Sequence, residues 1–149
     1  QNTFISSTFW TERIGPTAAL ATLKVMEDIK SWEIITEIGK NMREGWTKLA
    51  KSYNLKINIS GLPSVSTYSF ESENALKYKT FIAQEMLKKG YLASTNFYAS
   101  TAHRIENLTL YFEALESVYS VISDCEKDNL KIDNLLNGPV CHSGFKRLN

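Results

Sequence analysis

Leu55-Lys56-Ile57-Asn58-Ile59-Ser60-Gly61-Leu62-Pro63-Ser64-Val65-Ser66-Thr67-Tyr68-Ser69-Phe70 is the stretch where the spacing of apolar residues drops to two. Leu55, Ile57 and Ile59 alternate with Lys56, Asn58 and Ser60, the pattern of a strand with one buried face. Gly61-Leu62-Pro63 supplies residues that turn a chain. Val65 to Phe70 then brings β-branched and aromatic residues suited to a second strand. A hairpin is therefore expected in the middle of the chain.

On either side the spacing is helical. Upstream, Ile35, Ile38, Met42, Trp46, Leu49 and Tyr53 recur every three or four residues, which predicts an amphipathic helix over about Trp32 to Tyr53. Gly39 sits inside it, at a local cost of about 1 kcal/mol relative to alanine. Before that, Thr17 to Asp28 is helix-forming, with Leu20, Leu23 and Met26 on one stripe. Pro16 stands in its first turn, where a missing N–H loses nothing. Downstream, Asn74 to Lys89 predicts a third helix with Tyr78, Phe81, Ile82 and Met86 inward and Gly90 as its stop. Tyr91 to Thr95 is expected as a short strand. A last helix is expected over about Asn107 to Glu126, capped by Asn107, with Leu108, Phe112, Leu115, Tyr119 and Ile122 in register. The order α-α-β-β-α-β-α predicts an α+β fold of two layers. A small, mainly antiparallel sheet carries helices on one face and follows a long N-terminal helical segment.

The bulk properties exclude several classes of function. Of the 149 residues, 43% are apolar and 22% charged, as in a soluble globular domain. Seventeen Lys and Arg against sixteen Asp and Glu leave a net charge of +1, without the clustered basic face that nucleic acid requires. No apolar run reaches the length of a membrane span, and the first residues lack the charged start and apolar stretch of a signal peptide. Cys125 and Cys141 are too few for a disulfide framework, and the His and Cys residues lack zinc spacing, so no metal is expected. The expected compartment is the reduced cytoplasm. The chain opens on Gln1 rather than methionine, which suggests a piece of a longer polypeptide. There is no glycine-rich phosphate loop, no pair of histidines at metal spacing and no G-x-S-x-G elbow.

One segment carries a chemical suggestion. Thr8-Phe9-Trp10-Thr11-Glu12-Arg13-Ile14-Gly15-Pro16 sets hydroxyls and backbone amides before a helix start, where free N–H groups and a partial positive charge suit an anion. Read from the residues alone, Thr11 either serves such an anion or merely caps the chain. The whole is then a soluble α+β module that binds a partner or a small anion and catalyses nothing.

The stretch from Phe4 to Pro16, continuing through Ala18-Ala19-Leu20-Ala21-Thr22-Leu23, resembles the segment after the active-site lysine in class-III pyridoxal-phosphate aminotransferases, in particular glutamate-1-semialdehyde 2,1-aminomutase. Pro16 matches the family's proline, Gly15 replaces its asparagine, and Thr11 falls where its threonine stands. Lys88-Lys89-Gly90-Tyr91-Leu92-Ala93-Ser94 is similar to the family's helix end and strand, and Ser100-Thr101-Ala102-His103 to the turn that opens its last helix. The resemblance covers residues 4–127. It implies residues 1–30 as cofactor-phosphate loop and connecting helix, 31–127 as the C-terminal small domain and 128–149 as a tail.

It also implies that Thr11 binds the phosphate of pyridoxal 5'-phosphate held by the partner subunit of a homodimer. The lysine that bonds the cofactor and the aspartate that partners its ring nitrogen lie upstream, in the large domain of the same polypeptide. No catalytic residue is then expected in this chain, which alone is inactive. Arg13 is either a substrate-side carboxylate ligand or a salt-bridged or solvated charge. His103 is expected to donate a hydrogen bond at the last helix start. The family's Phe-Glu-Ala is here Phe97-Tyr98-Ala99; a phenol cannot replace a carboxylate as charge partner, so the family's substrate does not carry over.

Overall fold

The computed structural model describes residues 12–144, which divide into two compact units between Glu33 and Ile34. The first unit holds α1 (Ile14–Asp28) and the opening residues of α2 (Ser31–Ser52). Pro16 lies in the first turn of α1, as expected, and the helix begins three residues before Thr17 because Ile14 and Gly15 complete that turn. Every residue of α1, including the Leu20–Leu23–Met26 stripe, is exposed.

The second unit runs from the body of α2 through β1 (Ile57–Leu62), β2 (Val65–Phe70), α3 (Ala75–Lys88), β3 (Asn96–Tyr98) and α4 (Ile105–Glu126) to a short 3-10 turn at Ile132–Asn134. The sheet has the order β1-β2-β3 and both pairings are antiparallel. Strand side chains alternate between faces, so Ser66, Tyr68 and Phe70 of the central strand point one way and Val65, Thr67 and Ser69 the other. All three long helices meet the first face. Trp46 of α2 lies 4.6 Å from Tyr68 between ring centroids, Tyr78 of α3 packs edge-on to Phe70 at 5.4 Å, and Tyr119 of α4 lies 5.8 Å from Phe70. The architecture is the expected α+β sheet with helices on one face.

Three helices of this unit end alike. Asn54, Gly90 and Asp128 take left-handed conformations, and the residue after each donates its N–H back into the helix: Leu55 to Ala50, Tyr91 to Met86 and Asn129 to Asp124. Beyond α4 the chain lies along α3. Ile132 is buried, Gln84 donates to the Leu135 carbonyl, and Thr80 Oγ1 accepts from the Cys141 amide at 2.9 Å.

Three local expectations are corrected. The tight turn of the hairpin is Pro63-Ser64, because Leu62 still pairs with Val65. The Ser66 hydroxyl, which can donate to the Leu62 or Pro63 carbonyl, holds that turn from inside. The third strand is Asn96–Tyr98 rather than Tyr91–Thr95. The chain leaving Gly90 has no two-residue alternation, with Leu92 98% exposed, and reaches β2 only where Thr95 accepts the Tyr68 amide. Helix α4 begins at Ile105 with Arg104 as its cap residue, and Asn107 is inside the first turn. Ser100 explains the early start: its carbonyl accepts from the His103 amide and its hydroxyl from the Ala102 amide, which closes the loop before Arg104.

At Gly39 the structure adds a tertiary demand to the local cost. A Cβ there would run into the Pro63 carbonyl, so α2 and the hairpin turn touch backbone to backbone. Arg43, one turn on, donates to Ser66 Oγ at 2.7 Å and to the carbonyls of Ser60 and Gly61. Gly39→Ala, favourable by helix propensity, is therefore expected to destabilise the fold by about 1–3 kcal/mol. Urea unfolding of the variant checks this, and an unchanged or raised midpoint would show that the close approach carries no cost.

Candidate functional site

The entry to α1 is where the residues suggest anion chemistry. Arg13 occupies the cap position, is exposed, and accepts the Thr17 amide on its carbonyl at 3.0 Å. Within the first turn Pro16 has no N–H, so the outward-facing amides are those of Ile14 and Gly15. No acidic residue lies in that turn, and no side chain among the described residues caps it. A Cβ on Gly15 would meet nothing within 4 Å, so the turn is open to a ligand. The Ile14 and Gly15 amides make a donor pair that suits a phosphate oxygen, and the side chains of Glu12 and Arg13 just upstream are exposed. Thr11 lies outside the described residues.

A second concavity lies in the other unit. It has a volume of about 260 Å³ between α2, the segment after Gly90 and α4, and Trp46, Tyr91, Phe97, His103 and Tyr111 are among its walls. His103 lies tilted against Phe97, 4.9 Å between ring centroids. Its Nδ1 accepts the Ser100 amide at 3.0 Å, so the side chain is an acceptor at the helix start rather than the expected donor. The neutral ring then carries its proton on Nε2. Tyr111 accepts from Trp46 Nε1 at 3.2 Å. Nothing in the spacing of the sequence announces this cleft, because its walls come from three separated elements.

No protein-family model matches the chain. The aminopentol aminotransferase of Sphingopyxis macrogoltabida is 22% identical over 121 residues, which is 80% of this chain and 29% of that protein. The structure of the pyridoxal-phosphate internal-aldimine form of the FumI protein from Sphingopyxis sp. MTA144 matches with a TM-score of 0.73 and 22% identity, over 84% of this chain and 31% of that one. This chain carries an aminotransferase-like fold. It spans about a third of the length of these relatives. Among the described residues no helix is long and apolar enough to cross a membrane, and no group of three His, Cys, Asp or Glu gathers to hold a metal.

The core holds buried phenols and one buried thiol, Cys125, which burial and the neighbouring Asp124 and Glu126 push up from its ordinary value. Burial pushes Tyr111 up to about 12 from its ordinary 10.0, partly offset by the Trp46 hydrogen bond. Burial is also the main cause that raises Tyr68, Tyr78 and Tyr119, and the Tyr68 and Tyr119 hydroxyls have no hydrogen-bond partner among the described residues. An acid whose folded pKa is raised binds its proton more tightly in the native state. The associated stability is complete below pH 10 and is lost as pH rises through the folded value. Alkaline unfolding is thus expected to set in above about pH 10, with Tyr111→Phe making the fall between 10 and 12 shallower. Phenolate absorbance read alongside circular dichroism tests this. Ionisation of all seven tyrosines near 10 with the fold intact would contradict it.

Proposed function

We propose that this chain is the C-terminal part of a pyridoxal-phosphate-dependent aminotransferase of class III, related to glutamate-1-semialdehyde aminomutase in its motifs. The observation that carries the reading is the match to FumI: 84% of this chain follows the fold of a protein solved with that cofactor, yet accounts for only 31% of it. On this reading residues 1–30 are the phosphate loop and connecting helix, 31–127 the small domain and 128–149 a tail. The large domain upstream in the same polypeptide holds the cofactor and its lysine. The cofactor, when bound, supplies an electron sink that lets an amino group move to a carbonyl substrate.

This chain's own residues bind and position. By the resemblance, Thr11 holds the phosphate of the partner subunit's cofactor. The open first turn of α1, free of acidic side chains, supports that role. On this reading Arg13 takes a substrate carboxylate, a role that its exposure at the cap leaves open to it. The exposed apolar residues of α1 suit burial against the large domain and the homodimer contact. Transfer between two molecules is favoured over an internal shift, since the relative is named an aminotransferase and Tyr98 stands where the aminomutases carry a carboxylate. The catalytic lysine being elsewhere, the 149-residue chain transfers no amine by itself.

Two measurements test the reading. In the complete polypeptide, Thr11→Ala removes one charge-assisted hydrogen bond of about 1.5–3 kcal/mol, so cofactor affinity is expected to fall about ten- to a hundredfold, with Thr11→Ser retaining most of it. Unchanged affinity in Thr11→Ala would remove that residue from the site. With added pyridoxal phosphate and borohydride, the isolated chain should show no single labelled lysine and the complete polypeptide one. Specific labelling of a lysine within residues 12–144 would overturn the division of labour.

A further inference from the structure

The helix-free face of the sheet is uneven in a way that the register makes explicit. Cross-strand partners share a face, so Leu62, Val65 and Tyr98 form one row across all three strands. These three are 69%, 47% and 69% exposed. The next row on the same face is Ser60, Thr67 and Asn96, and the one beyond it Asn58 and Ser69. The bare face is thus polar except at the turn end, where leucine, valine and tyrosine lie side by side in water.

That end is also the most firmly held part of the sheet. Gly39 lets α2 touch the Pro63 carbonyl, Arg43 ties the Ser60 and Gly61 carbonyls to α2, and the Ala99 amide donates to Ser64 at 2.8 Å. An apolar row on a rigid support costs little entropy to bury. The helices of this unit occupy the opposite face, so this face is open to a further layer of structure.

We infer that the Leu62–Val65–Tyr98 row is the seat of an apolar contact with the upstream cofactor-binding domain of the same polypeptide. This rests on the proposed function, which supplies the occupant. The relatives are more than three times as long as the part this chain matches, and that remaining length must pack against it somewhere. The polar rows confine the contact to the turn end, and the row carries no charge that would select a nucleic acid or a charged ligand. Tyr98 adds a hydroxyl at the edge strand, suited to hydrogen bonding at the rim of an otherwise apolar seat.

Thiol labelling reads the contact without unfolding anything. Leu62→Cys, Tyr98→Cys and, on the polar end, Asn58→Cys are made singly in a Cys141→Ser background, Cys125 being buried. In the 149-residue chain all three should react with a maleimide at rates typical of exposed thiols. In the complete polypeptide, labelling at positions 62 and 98 should be lost while position 58 still reacts. Reaction at 62 and 98 in both proteins would overturn the inference, as would equal protection of position 58. Protection in the isolated chain that grows with its concentration would assign the row to a second copy and equally overturn it. Borohydride trapping on the same complete polypeptide separates the two levels: a trapped lysine with reactive 62 and 98 sinks only this contact, and no trapped lysine sinks the proposed function.

Discussion

The contact on which the second unit depends is the one between Trp46 and Tyr68. Trp46 is the most fully buried large side chain of α2, and Tyr68 is a buried residue of the middle strand. Their rings, 4.6 Å apart, fix how α2 crosses the sheet. Phe70 extends the aromatic layer to Tyr78 and Tyr119, so α3 and α4 come to rest on the same face. Truncating one such aromatic side chain typically costs about 3–5 kcal/mol, a large share of a small domain's stability. Because all three helices are drawn to one side, the other side of the sheet is bare.

The two units divide the labour on the proposed reading. The first brings charge and backbone donors at the α1 entry, with almost no core of its own. The second is a packed platform whose interior phenols, and the Cys125 thiol with them, are held toward their neutral forms by burial. That chemistry suits a part that holds, covers and shapes, while bond-making belongs to the portion of the polypeptide that bears the cofactor.

Much of this was readable from residues. The three-and-four spacing from Ile35 to Tyr53 and the alternation around Leu55–Phe70 are local signals, and burial followed them almost position by position. Gly90 and Pro16 announced a helix stop and a helix start because their backbone chemistry acts within one turn. What escaped depends on distant partners. Asn96–Tyr98 is too short to show a period and is a strand only because β2 lies beside it. The value of Gly39 lies in Pro63, twenty-four positions away. Arg104 rather than Asn107 precedes α4 because Ser100 and His103 close the preceding loop with their own hydrogen bonds. At the candidate site, the open turn at Ile14–Gly15 was legible from Gly15-Pro16, whereas the aromatic cleft and the Leu62–Val65–Tyr98 row needed the pairing of elements far apart in sequence.

The central claim is that the segment entering α1 serves a cofactor phosphate held by another subunit. A crystal structure of the complete polypeptide with pyridoxal phosphate bound measures this directly. The expected result is the Thr11 hydroxyl within about 2.5–3.0 Å of a phosphate oxygen across the subunit interface, with the Ile14 and Gly15 amides facing the same anion. A Thr11 side chain turned away from every cofactor phosphate would contradict the account.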